Sequence, residues 1–186
     1  MVNGVTEMKR RLNSRDLTAI ALCAALWGVL NSIFAPTFFH LTGLPILCDF
    51  IGFSVLTLGA WWIRKAGALT IIGLIATVIN FIFNPGGFQF LGFTAASILF
   101  DASMGLAGYD AIFKKHTLTI ISIMMLSTLS AALAGYLIGT FFMATPALIA
   151  WGGVFGWASI HAAGVIIGGA IGIFMVTSLK SRKILT

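Results

Sequence analysis

The sequence predicts an all-α fold, a compact bundle of six transmembrane helices with both termini in the cytoplasm, and three observations carry that expectation. First, 59% of the 186 residues are hydrophobic and 9% are charged, and the mean hydropathy of +1.05 lies outside the range of soluble globular chains. Second, the apolar residues fall into six long runs. Each approaches the ~20 residues that a helix rising ~1.5 Å per residue needs to cross ~30 Å of hydrocarbon. Third, the eleven Lys and Arg fall only on alternate connections between these runs. The composition also excludes other classes. Sixteen Phe and five Trp do not belong to a disordered chain. The net charge of +6 sits in short clusters rather than on one basic face, which argues against nucleic acid as a partner.

Residues 1–16 read as a basic cytoplasmic segment carrying Lys9, Arg10, Arg11 and Arg15. The first predicted span, Leu17 to Ala35, has no small-x-small cleavage signal after it, and Pro36 follows directly, so it reads as a retained helix rather than a signal peptide. The later spans are expected at Leu44 to Ile63, Ala66 to Phe83, Phe88 to Ile112, Leu118 to Phe142 and Leu148 to Leu179, and residues 180–186 form a basic tail. Because the connections are short, consecutive helices are expected to be antiparallel neighbours in one domain, residues 17–179. The sixth run would extend about 48 Å as a single helix. The glycines and tryptophans of Ala150 to Trp157 predict an interfacial cap before that helix turns inward.

The cations give the orientation. Lys9, Arg10, Arg11 and Arg15 precede the first span, Arg64 and Lys65 join the second and third, Lys114 and Lys115 join the fourth and fifth, and Lys180, Arg182 and Lys183 follow the sixth. The opposite connections hold none. The positive-inside rule therefore predicts a multi-pass protein of the plasma membrane with both ends in the cytoplasm.

Ionisable groups inside hydrocarbon cost ~2.5–3.5 kcal/mol each on insertion scales, so they normally face protein or a cavity. Three are embedded here: Asp49, Asp101 and His161. Asn31, Asn80, Asn84 and Gln89 collect near the cation-free ends of the spans. In the fourth span Phe90, Thr94, Ser97, Asp101 and Gly105 recur at helical spacing, and in the sixth Trp157, His161, Gly164, Gly168 and Gly172 do the same. The fifth span offers Tyr136 at a matching depth. The candidate substrate-binding set is accordingly Asp49, Asn80, Gln89, Phe90, Ser97, Asp101, Tyr136, Trp151, Trp157 and His161, around a pocket with aromatic walls that opens outward. The structural alternative stands beside each: polar groups in membrane bundles also serve as interhelical glue worth ~0.6 kcal/mol or somewhat more. Asn84, which precedes Pro85-Gly86-Gly87, reads better as a turn residue, and Trp151 and Trp157 equally fit an interfacial aromatic belt.

Two small-residue ridges concern helix approach. Gly164, Gly168 and Gly172 are assigned to packing inside the bundle, whereas Ala21, Ala25 and Gly28 are divided between packing and docking of another subunit. Cys23 and Cys48 have no metal-ligand spacing, and there is no Walker A loop, H-E-x-x-H or G-x-S-x-G. No metal, no cofactor and no enzymatic activity are therefore expected, and energy for any accumulation of solute would come from elsewhere.

These features together resemble the substrate-binding S component of energy-coupling factor (ECF) transporters. The order Leu17 to Gly28, Pro45-Ile-Leu-Cys-Asp-Phe-Ile-Gly52, Trp62-Ile-Arg-Lys-Ala-Gly-Ala68, then Leu99-Phe-Asp-Ala-Ser-Met-Gly105 before Phe113-Lys114-Lys115 is similar to the hydroxymethylpyrimidine/thiamine branch. Carboxylates familiar in that branch are replaced here by Asn80 and Ser97 or displaced to Asp101. The resemblance implies tight binding of a vitamin or vitamin precursor, thiamine or its hydroxymethylpyrimidine moiety. It also implies docking through Ala21, Ala25 and Gly28 on a transmembrane T subunit coupled to a pair of cytosolic ABC ATPases. Embedded Asp49 and Asp101 without embedded Lys or Arg favour a cationic or hydrogen-bond-donating ligand, and Phe90, Trp151 and Trp157 could stack on its ring. The competing readings are a proton- or cation-coupled carrier with Asp101 and His161 as a relay, and, more weakly, an intramembrane enzyme.

Overall fold

Alternating apolar runs and short polar breaks give a chain that is helical almost throughout. The computed structural model describes residues 12–182, and among them the elements are α1 (Ser14–Thr42), α2 (Ile46–Ile63), α3 (Ala68–Phe83), α4 (Phe90–Ala107), α5 (Tyr109–Lys114), α6 (His116–Phe141), α7 (Thr145–Ala150) and α8 (Gly153–Ser181), with no strand. Five of them, α1, α2, α4, α6 and α8, are long and apolar enough to cross a membrane, while α3 is a shorter apolar helix of 16 residues. The molecule is thus an α-helical, multi-pass membrane protein.

Local chemistry sets the ends. At the start of α1 the Asn13 side chain accepts from the Asp16 N–H and the Asp16 carboxylate accepts from the Asn13 N–H, which satisfies two otherwise orphaned donors. Asp16 also pairs with Lys65 and so ties this end to the α2–α3 turn. Arg64 closes α2 in the left-handed region, φ 51°, a conformation that costs energy for a residue with a Cβ. Three contacts hold it there: Nε donates to the Trp61 carbonyl, the guanidinium pairs with Asp110 at 3.2 Å, and the same group lies over the Phe113 ring.

Three boundaries differ from those read in the sequence or refine them. Pro36 lies inside α1, which continues to Thr42 and stops at Gly43, φ 72°. A missing backbone bond is tolerated in membrane helices where neighbours supply others. The fourth run is not continuous to Ile112, because Gly108 at φ 84° separates α5 as an elbow. The expected cap before the last span is α7, set off by Gly152 and Gly153 at φ 81° and 76°.

The main spans close into a ring in the order α1, α3, α4, α6, α8, α2 and back to α1. The seam that closes it is the glycine ridge of α8 on α2. A Cβ at Gly168 would lie 2.9 Å from Asp49 and Phe50 backbone atoms, and one at Gly172 would lie 2.6 Å from Thr57. The ridge of α1 is split instead. Gly28 is buried with Ile79 against it, whereas Ala21 and Ala25 are exposed on the outer face. The three therefore do not form one docking stripe, since Gly28 is consumed by the α1–α3 seam.

The described cations share one end of the bundle. Contacts of Asp16 with Lys65, Arg64 with Asp110, and Lys180 with the Phe113 carbonyl draw the start of α1, the α2–α3 turn, α5 and the end of α8 together. Lys9, Arg10, Arg11 and Lys183 lie outside the described residues.

Candidate functional site

At the end away from these cations the bundle contains a cavity of about 670 Å³. Its walls are aromatic: Phe39 from α1, Phe83 from α3, Phe90 and Phe93 from α4, Phe142 after α6 and Trp157 from α8. The extension of α1 past Pro36 brings Phe39 and His40 to the mouth, where Phe39 meets Trp157 edge-to-face at 6.3 Å. The Asn84-to-Gly87 turn forms another side, closed by the Gly87 N–H donating to the Asn84 carbonyl at 2.9 Å. Gly87 is required there, because a Cβ would meet the Phe90 ring at 2.7 Å.

His161 lines the cavity, and Asp49, which does not, pairs with it. His161 Nδ1 and Asp49 Oδ1 are 2.9 Å apart, with side chains 1% and 0% exposed. The imidazole is flanked by the Phe93 and Trp157 rings at 5.6 and 5.4 Å. Glycines make the room: a Cβ at Gly135 would be 2.8 Å from His161 Cδ2, and one at Gly164 would be 2.9 Å from Asp49 Oδ2. Four buried polar atoms of this region have no hydrogen-bond partner, namely His161 Nε2, Asp49 Oδ2, Trp157 Nε1 and Asn84 Nδ2. An unmet buried group costs ~1–3 kcal/mol, so such atoms are normally paired. Their concentration beside one cavity leaves hydrogen-bonding capacity for an occupant.

Of the residues expected at the site, Gln89, Phe90, Trp157 and His161 line the cavity. Asp49 stands one hydrogen bond behind His161, and the Trp151 ring lies tilted against Trp157 at 6.1 Å without forming the wall. The others are elsewhere, for identifiable reasons. Asn80 accepts from Asn31 and Ser32 at 3.1 and 3.0 Å and donates to the Ala76 carbonyl, which stitches α1 to α3. Ser97 donates to the Thr94 carbonyl and fills the space left by Gly73 on α3. Asp101 accepts from the Thr70 N–H at 2.9 Å and from the Tyr109 hydroxyl at 2.6 Å. Thr70 is in the first turn of α3, so this carboxylate caps a neighbouring helix and offsets its dipole. Burial and the same carboxylate hold the Tyr109 phenol above its ordinary range, which keeps it a donor. Tyr136 is 43% exposed on the outer surface beside Phe155. The proposed Asp101–His161 relay is therefore not assembled; each residue has a different partner.

Sequence reasoning passed over Phe39, His40, Cys48, Phe93 and Phe142 as lining residues. The first two were hidden by treating Pro36 as a helix end. Phe93 was legible as one turn beyond Phe90 on a cavity-facing helix.

No family model, curated protein or solved structure matches this chain. What the fold and geometry define is a class: a helical membrane protein with an aromatic cavity over a buried Asp–His pair.

Proposed function

We propose that the chain is the membrane-embedded substrate-binding subunit of an ECF-type importer, with six spans counting α3, cations and termini in the cytoplasm, and a cavity open to the outside of the plasma membrane. The observation that carries this reading is the aromatic cavity above the Asp49–His161 pair at the cation-free end. Its volume of about 670 Å³ suits a small solute. Among the described residues no Lys, Arg, Asp or Glu lines it, and the nearby carboxylate is Asp49 behind His161, so an anion would lose its hydration without a counter-charge, and an uncharged or cationic ring is favoured. Thiamine or its hydroxymethylpyrimidine moiety meets both conditions. The 16 residues of α3 rise ~24 Å, which a locally thinned bilayer accommodates. Exposed Ala21 and Ala25, bordered by exposed Leu22 and Leu26, would take the T subunit, behind which two cytosolic ATPases supply the energy.

Native mass spectrometry of the protein purified from its membrane tests the reading. One thiamine or pyrimidine per chain is expected. An empty protein that also ignores both compounds when they are added would overturn the ligand assignment. A second reading, a proton-coupled carrier, is favoured by the buried Asp49–His161 pair. It requires uptake into proteoliposomes driven by a pH gradient with no ATPase present.

A further inference from the structure

We propose that Asp49 is a positioning residue which holds the Nδ1–H tautomer of His161, so that Nε2 presents a bare lone pair at the base of the cavity and the site selects a planar ligand donating an N–H or O–H there. The proposal rests on the reading above that the cavity holds a small solute.

A neutral histidine has one ring nitrogen that donates and one that accepts. With Asp49 ionised, its oxygen can only accept, so across the observed 2.9 Å it accepts a hydrogen bond from Nδ1–H, which keeps the proton. The remaining nitrogen is then an acceptor, and its identity is set by the residue behind it rather than by the ligand. Nothing described competes for that nitrogen. Nε2 is buried and unpartnered, and the groups against the ring are Phe93, Trp157 and Gly135, which carry no charge.

Of the other unmet atoms, Asp49 Oδ2 belongs to a residue that does not line the cavity, and the two on lining residues describe the rest of the ligand. Trp157 Nε1–H and the Asn84 Nδ2 amide are donors, so they require acceptors. The complementary molecule has a donor and acceptors on its edge, and the aromatic lining of the cavity, Phe90, Phe93 and Trp157 among it, favours two flat faces. An amino-substituted nitrogen heterocycle or a cyclic amide has this pattern. A carboxylate has no donor to offer Nε2, and a purely apolar ring leaves all three groups unpaired.

The test has two independent readouts on the full-length protein in lipid nanodiscs. The first needs no ligand. Long-range ¹H–¹⁵N correlation of the labelled histidines distinguishes a bare ring nitrogen from a protonated one. His161 is picked out from the other two histidines by loss of its signals in His161→Gln. The expected spectrum at neutral pH has Nδ1 protonated and Nε2 bare. Asp49→Asn, whose amide can donate to Nδ1, moves the proton to Nε2 in part or in whole. A wild-type Nε2 that carries the proton, alone or as imidazolium, overturns the proposal.

The second readout compares 4-amino-2,5-dimethylpyrimidine, whose amino group is its sole N–H or O–H donor, with 2,4,5-trimethylpyrimidine. Wild type should prefer the amine by about tenfold or more, the worth of one buried hydrogen bond left unmade, and Asp49→Asn should lose that preference. Equal affinity of wild type for both probes overturns the selection. Failure of both, and of 4-amino-5-hydroxymethyl-2-methylpyrimidine, to bind, with the tautomer as stated, leaves the dyad supported and overturns the vitamin reading instead.

Discussion

The two ends of the bundle each bury a carboxylate, and the comparison between them separates structure from site. Near the cation end, both oxygens of Asp101 are used, one by the Thr70 N–H and one by the Tyr109 hydroxyl. At the cavity end, one oxygen of Asp49 meets His161 and the other has no partner, nor has the far nitrogen of His161. Two aspartates of similar sequence context thus end in different states. The difference lies in whether the surrounding helices exhaust their hydrogen-bonding capacity. Embedded polarity alone does not mark a binding site; polarity left over beside a void does.

Mutations can break or sharpen that contrast. The largest effect is expected at the seam that positions Asp49: Gly168→Val would push a side chain into Asp49 and Phe50 backbone atoms 2.9 Å from the first added carbon. Overpacking against backbone costs about 3 kcal/mol, and the folded yield in detergent should fall accordingly. Asp101→Ala comes next. Leaving the Thr70 N–H and the Tyr109 hydroxyl buried and unpaired should lower stability by about 2–3 kcal/mol, read as thermal unfolding, with ligand affinity of the folded protein within about threefold of wild type. A large affinity loss there would erase the distinction between the two ends. Tyr109→Phe removes one of the two bonds to Asp101 and should cost about 1 kcal/mol by the same assay. The smallest change is expected for Tyr136→Ala on the outer surface, within about 0.5 kcal/mol and without effect on binding.

Much of the scaffold was legible in advance because a membrane imposes a single-variable code. Apolar run length and cation placement located α2, α3 and α6 to within a few residues and anticipated the break before α8. Pro36 and Gly108 were misjudged for opposite reasons. A proline that would end a soluble helix is carried inside α1, and a glycine that looked like one more small residue turns the chain at φ 84°. The candidate site was legible only by face. Helical spacing put Trp157 and His161 on one stripe, and both reach the cavity. The same reasoning put Ser97 and Asp101 with Phe90, yet spacing cannot say which helix a face meets, and theirs meets α3. The His161–Asp49 pair spans 112 positions and depends on the ring closing through α2 and α8, a pairing that no local pattern encodes.

On the proposed function, the cavity end binds the solute and the Asp101 end supports the fold. Equilibrium binding of the aminopyrimidine to wild type, His161→Ala and Asp101→Asn, measured side by side on folded protein in nanodiscs, tests it most directly. A loss of about tenfold or more in affinity is expected for His161→Ala, with near wild-type affinity for Asp101→Asn. Full affinity in His161→Ala with loss in Asp101→Asn would contradict it.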